Sequence, residues 1–207
     1  MNILSLIEKG LEIVWLVIGP IILIWATYIL VKLIYFYQKY GYLEFDLVEK
    51  RPITKFSDLI LMMLDKVKGY KKIYKPDNLY TDIIIIDKTG LYLLKLIKFQ
   101  GVIVGDRKET ILTNQINLNE TIEIDNPFYL LDLDRQKLLE INPNLAIKIG
   151  LVTSNTVNIK VNKVSKEEVF FLKDFYFKME NHLKQTRIYK NKEIKDLYKK
   201  IKNYKYE

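Results

Sequence analysis

An unbroken apolar run near the start of the chain constrains the fold more than any other feature. Residues 13–31 read IVWLVIGPIILIWATYILV, without one charged side chain. As a helix at 1.5 Å rise per residue this run is about 28 Å long, close to the hydrocarbon thickness of a bilayer. It has no polar face, as a surface helix of a globular core would. No basic segment precedes it and no small-residue cleavage site follows it, as an export signal requires. The run predicts one N-terminal transmembrane helix within residues 1–37, kinked at Pro20, with Tyr35, Tyr37 and Tyr40 in an interfacial belt. Only Lys9 precedes the run, whereas Lys32, Lys39, Lys50, Arg51 and Lys55 follow it. Positive-inside logic then predicts a single-pass cell-membrane protein with its N-terminus outside and its larger part cytoplasmic. The lipid bilayer is its first expected partner.

The rest of the chain reads as one globular domain with a basic end. Three boundaries follow: an anchor at 1–37, a juxtamembrane connector at 38–53 and a domain at 54–183. A basic amphipathic helix at 184–207 closes the chain. The net charge of the chain is +8. Residues 181–207 hold nine basic and three acidic side chains, so the excess is concentrated there. Lys190, Lys192, Lys195, Lys199, Lys200 and Lys202 form one side of that helix, opposite Ile194, Leu197 and Ile201. Such a surface attracts polyanions: anionic lipid headgroups foremost if the chain is membrane-tethered, then nucleic acid. A protein partner is left unspecified by the sequence. The chain has no cysteine and one histidine, His182, which excludes a zinc set, and His182 reads as an ordinary helix-end residue. No glycine-rich phosphate loop or Ser/His/Asp set is present.

Periodicity predicts a helix from an N-cap at Thr54 to Val67, with Phe56, Leu59, Ile60, Met63 and Leu64 on one face. A short strand at Lys71–Tyr74 follows. Then come a buried β-branched strand headed by Asp82, a tight turn at Asp87-Lys88-Thr89-Gly90 and a partner strand from Leu91 to Lys98. Further strands are expected at 102–104, 111–112, 121–124, 146–153 and 157–161. Asn126-Pro127 opens a helix to Ile141. Ser165 to Glu168 carries a capping-box pattern that predicts a helix containing Val169, Leu172, Tyr176 and Met179. The order predicts an α/β (α+β) domain, a mixed sheet with flanking helices.

One place suggests chemistry. Asp82 heads a buried strand, and the next strand carries charged residues within an apolar run. Metal-dependent phosphodiesterases use this layout: an Asp on one strand and a Glu-x-Lys on the next, two residues apart so that both share a face. The residues involved are Thr81-Asp82-Ile83-Ile84-Ile85-Ile86, Thr89-Gly90-Leu91-Tyr92-Leu93-Leu94, Lys95 through Gly105, and Asn126-Pro127. In these the chain resembles the nuclease-related domain (NERD) family, a branch of the PD-(D/E)xK nuclease-like fold, over roughly residues 54–153. The resemblance implies a restriction-endonuclease-like sheet, and an Mg²⁺ site that includes Asp82.

Departures from the family pattern redirect the functional expectation. Counted back from Gly101, the family glutamate falls on Lys95 and the family lysine on Ile97; Lys98 is a displaced alternative. The first-helix glutamate has only Asp58 as a counterpart, and the glutamine expected after Asn-Pro has only Gln136, well downstream. An ammonium does not ligate Mg²⁺, and one carboxylate is a poor site for it. The expected protein is therefore a catalytically degenerate, membrane-anchored nuclease-related module that binds a partner at the cytoplasmic face and needs no cofactor. Asp82 and Lys95 then form an ion pair across adjacent strands; alternatively, Asp82 merely caps its strand and bonds backbone amides of the preceding turn. Two other readings stand beside it. One is an active Mg²⁺-dependent DNA endonuclease using Asp82, Lys95 or Lys98, and a migrated carboxylate (Asp87, Asp106 or Glu109). The other is a structural subunit of a membrane assembly.

Overall fold

The computed structural model describes residues 15–16, 18–31, 34, 53–154 and 157–204, with side chains described from residue 56 on in the stretch 53–154. The chain divides into Met1–Phe45 and Asp46–Glu207. In the first part residues 18–31 form helix α1, whose apolar side chains, including Leu23 and Trp25, are exposed. Among the described residues no helix is long and apolar enough to cross a membrane. This corrects the expected transmembrane anchor, and with it the single-pass cell-membrane localisation and the orientation derived from it. The interfacial tyrosines, the flanking Lys9, Lys32, Lys39, Lys50 and Arg51, and residues 38–52 of the expected connector lie outside the described residues.

The second part begins with helix α2 (Ile53–Lys66), so Thr54 lies inside the helix rather than capping it. Its apolar spacing buries Phe56, Leu59, Ile60, Met63 and Leu64. Strands β1 (Lys71–Tyr74), β2 (Ile83–Asp87) and β3 (Gly90–Ile97) follow. Next come β4 (Gly101–Asp106), β5 (Ile111–Asn117), β6 (Glu120–Asp125) and helix α3 (Pro127–Ile141). Strands β7 (Ile147–Thr153), β8 (Val157–Asn162) and β9 (Val169–Phe171) precede helices α4 (Leu172–His182) and α5 (Asn191–Asn203).

The strands form two sheets, ordered β1-β2-β3-β7-β9 and β6-β5-β4-β8, where the sequence predicts one. The mixed α/β class stands; the single restriction-endonuclease-like sheet is corrected. Gly101 marks the division. Its φ is +94°, and a Cβ there would collide with the Gln115 carbonyl, so β4 departs from the line of β3 through a close backbone approach that only glycine fits. β4 then pairs with β5 antiparallel and with β8 in parallel, while β7 stays beside β3.

The Ser165 capping box is real but opens only a 3-10 turn, Lys166–Glu168. Val169-Phe170-Phe171 leaves it as a strand beside β7, because a β-branched and aromatic triplet pairs more favourably than it continues a helix. α4 starts at Leu172 and buries Phe175, Tyr176 and Met179.

In the first sheet, β1, β2 and β3 run antiparallel and β7 and β9 run parallel to β3. α3 and α5 cover one face, closing Leu131, Leu138, Ile194, Leu197 and Ile201 over Ile84, Ile86, Leu91, Leu93, Ile147 and Ile149. α2 touches β3 and α4, and α4 touches β7. The expected 184–207 segment thus joins the core through the apolar side of α5.

Asn126 fixes how α3 leaves the second sheet. Its side-chain oxygen accepts from the Phe128 and Tyr129 amides at 3.0 and 3.3 Å, capping two of the helix's open donors. Its Nδ2 lies 2.6–3.1 Å from the carbonyls of Asp106, Arg107 and Glu109. One fully buried amide thereby ties the β4–β5 turn to the start of α3, and Pro127 occupies the first-turn position where no amide is needed.

Candidate functional site

The turn between β2 and β3 sets Asp82 and Lys95 opposite each other. Asp87 pairs with Gly90 and Ile83 with Leu94, and one further step along this antiparallel register pairs residue 82 with residue 95. The Asp82 amide donates to the Leu94 carbonyl at 2.9 Å, so the hairpin geometry extends that far.

The side chains meet there. Lys95 Nζ lies 3.3 Å from Asp82 Oδ1 and donates to the Tyr80 carbonyl at 2.5 Å. Asp82 Oδ2 accepts from the Leu96 amide at 2.7 Å. Lys95 and Asp82 are each about a quarter to a third exposed (24% and 37%), so water screens the pair only partly. The ammonium is thus held by an anion and by a carbonyl. The carboxylate keeps one oxygen for the lysine and one for the Leu96 amide of β3, not for an amide of the turn that precedes it. Lys98 lies one residue beyond the end of β3 and is half-buried; it occupies no position on the strand face shared by Lys95 and Ile97.

The migrated carboxylates have other partners. Asp87, at the far end of β2, accepts from the Thr89 amide and hydroxyl, both at 2.9 Å; burial pushes its carboxyl above the usual range against those hydrogen bonds. Asp106 pairs with Lys163 at 2.8 Å, which holds its carboxyl below the usual range, and Glu109 accepts from the Asp106 amide. Asp58 is exposed and 3.6 Å from Lys75, and Gln136 is exposed on α3.

Asp134 is the residue sequence reasoning missed. It is fully buried on α3, and its Oδ2 accepts from the Thr81 amide and hydroxyl at 2.7 Å each, immediately before Asp82. Its Oδ1 is buried, with no hydrogen-bond partner among the described residues. The two residues are 53 positions apart, and no local pattern links them. Equally unforeseen is Arg107, which grips Asp132 with two nitrogens at 2.8 and 3.0 Å and Glu168 at 2.8 Å. These bonds, Asp132's foremost, raise its guanidinium pKa further.

The site can hold an ammonium well and a divalent cation poorly. A cation entering beside Asp82 would have to displace Lys95 or sit against its positive charge. Among the described residues no group of three or more His, Asp or Glu side chains is arranged to hold a metal. The basic positions named from sequence, Lys190, Lys192, Lys195, Lys199, Lys200 and Lys202, are all exposed on or beside α5. α5 packs on β1 and β2. Lys72 of β1 and Lys202 both lie over the Tyr198 ring, at 5.9 and 6.0 Å. Comparisons with family models, curated proteins and solved structures give no match.

Proposed function

We propose that this chain is a non-catalytic nucleic-acid-binding module with a nuclease-like site in which Lys95 takes the seat of a divalent cation. The observation that carries the reading is the double anchoring of the Lys95 ammonium, on Asp82 and on the Tyr80 carbonyl. The pattern shared with the nuclease-related domain family supports it: an Asp-headed buried strand, a tight turn, then a charged strand. The lysines of α5 together with Lys72 and Tyr198 provide phosphate contacts and an aromatic surface beside them. Nucleic acid is preferred over lipid headgroups as the polyanion, since the argument for lipid rested on tethering by the N-terminal run.

Fluorescence anisotropy with labelled DNA and RNA, across a salt series, tests the binding half. The expected result is a steep fall of affinity with salt, and Lys199→Gln/Lys200→Gln should reduce the log–log slope by about 1 to 2. Incubation with plasmid and Mg²⁺ or Mn²⁺ tests the other half, and intact plasmid is expected.

A second reading, an active Mg²⁺-dependent endonuclease, draws on Asp134. A buried carboxylate with one unpartnered oxygen, bonded to the residue preceding Asp82, is a better second ligand than Asp87, Asp106 or Glu109. Plasmid cleavage lost in both Asp82→Ala and Asp134→Asn would establish that reading over ours.

A further inference from the structure

Strand β1 and helix α5 meet along a line where lysines and tyrosines alternate. Lys72 and Tyr74 pair with Ile86 and Ile84, whose side chains belong to the core beneath α5, so both point to the α5 side of the sheet. Tyr70 lies two residues before Lys72, and Lys72 Nζ is 5.8 Å from its ring centre. The same ammonium is 5.9 Å from the Tyr198 ring centre, and Lys202 Nζ is 6.0 Å from it. Tyr74 meets the Tyr198 ring edge-on at 6.3 Å.

Charge is sorted around α5. At about 3.6 residues per turn, Tyr198, Lys202 and Lys195 follow one side of the buried stripe of Ile194, Leu197 and Ile201, and Glu193, Asp196 and Lys200 follow the other. The packing agrees, because Glu193, Asp196 and Lys200 line one groove with Asn142 and Leu145 at the end of α3. The flank facing β1 thus carries lysines with no acid of α5 among them. Among the described residues Lys72, Lys195 and Lys202 make no ion pair. Asp77 acts on Tyr74, at the end of β1 away from Tyr70. This flank complements an anion with several charges; the opposite flank does not.

The rings differ in what they can still offer. Tyr198 is half-buried between two ammoniums and the Tyr74 ring, so its attraction for the lysines holds them in place. Tyr74 packs against the core. Tyr70 is 37% exposed. Beside it Gly69 is exposed too, and no atom lies within 4 Å of where a Cβ on Gly69 would stand. A flat group therefore has room on Tyr70, with Lys72 in reach of an anion attached to it.

We infer that the β1 flank of α5 takes single-stranded nucleic acid, with a base stacked on Tyr70 and neighbouring phosphates on Lys72, Lys202 and Lys195. A duplex keeps its base faces inside its own stack; it would engage the lysines and leave Tyr70 unused. A strand with unstacked bases uses both. The inference rests on the nucleic-acid reading above and specifies the form of strand that is bound.

Fluorescence anisotropy with the full chain tests it, using a labelled single strand of about 12 nucleotides and the duplex it forms with its complement. The single strand should bind more tightly by roughly tenfold. Tyr70→Ala should remove most of that preference while leaving duplex affinity unchanged, and Tyr70→Phe, which keeps the ring, should retain it. Lys72→Gln should weaken both forms and lower the log–log salt slope by about 1. Equal affinity for the two forms overturns the inference and leaves the nucleic-acid reading standing. So does a Tyr70→Ala variant that loses both forms alike or keeps the preference. If neither form binds, both proposals fall.

Discussion

Removing Lys95 should cost little by itself and should couple measurably to Asp82. At 3.3 Å the bare attraction is about 1.3 kcal/mol at the dielectric of water and about 5 kcal/mol at an effective value of 20. The partial exposure of both groups places the pair between these limits, nearer the first. Ordering the lysine side chain takes back roughly 1–2 kcal/mol, so the net coupling should be about 1 kcal/mol, at the upper end for solvent-touched pairs. Urea unfolding of the parent, Asp82→Asn, Lys95→Met and the double variant at pH 7 gives the coupling from the double-mutant cycle. Asp82→Asn keeps an acceptor for the Leu96 amide, so the cycle isolates the charge pair. A coupling near 1 kcal/mol in dilute buffer that shrinks in 1 M salt is the expected result. A coupling below about 0.2 kcal/mol, or one indifferent to salt, would refute the pairing that the functional reading needs.

Other consequences are open to similar measurement. Asn126→Ala removes the single oxygen that caps two helix amides and strands three backbone carbonyls, and should lower stability by about 2–4 kcal/mol in urea titration. Gly101→Ala should be comparably harmful, since its φ and the Gln115 carbonyl both oppose a Cβ, and thermal melting would show it. Burial, then Lys148, depress the pKa of His182 below its unfolded value of about 6.5. The stability linked to its neutral form is present above that value and lost as pH falls through the folded pKa. His182→Gln should therefore flatten the stability–pH profile below pH 6.5, whereas an unchanged slope would place the acid sensitivity elsewhere. Asp87 has the opposite sign: its raised carboxyl pKa gives stability below the unfolded value that is lost as pH rises through the folded one.

The parts of this architecture legible in the sequence were those written in local spacing. The isoleucine run, the Asp87–Gly90 turn and the following apolar stretch specify β2 and β3, and the turn length alone sets residue 82 across from residue 95. Asn126-Pro127 marks the start of α3 because both residue types suit a helix entrance. The division into two sheets was not legible, because it depends on where β4 finds partners, and β8 reaches it in parallel from over 50 positions away. Likewise Val169-Phe170-Phe171 becomes a strand only because β7 offers an edge, which overrides the helical spacing of Val169, Leu172 and Tyr176. The N-terminal run misled because hydropathy counts apolar residues, whereas crossing a bilayer requires a helix both long and apolar enough, and none is present among the described residues. Asp134, Arg107 and the Lys72–Tyr198 contact were hidden for one common reason: each is assembled from segments brought together only by tertiary packing.

The exclusion of a divalent cation by Lys95 is best tested by manganese titration of isotope-labelled protein, following the amide signals of Thr81–Ile83 and Leu94–Ile97. Paramagnetic broadening confined to these residues should be absent in the parent protein and should emerge in Lys95→Glu, where a carboxylate replaces the ammonium. Saturable broadening at Asp82 in the parent would contradict the account, because it would show that a metal binds there with Lys95 in place.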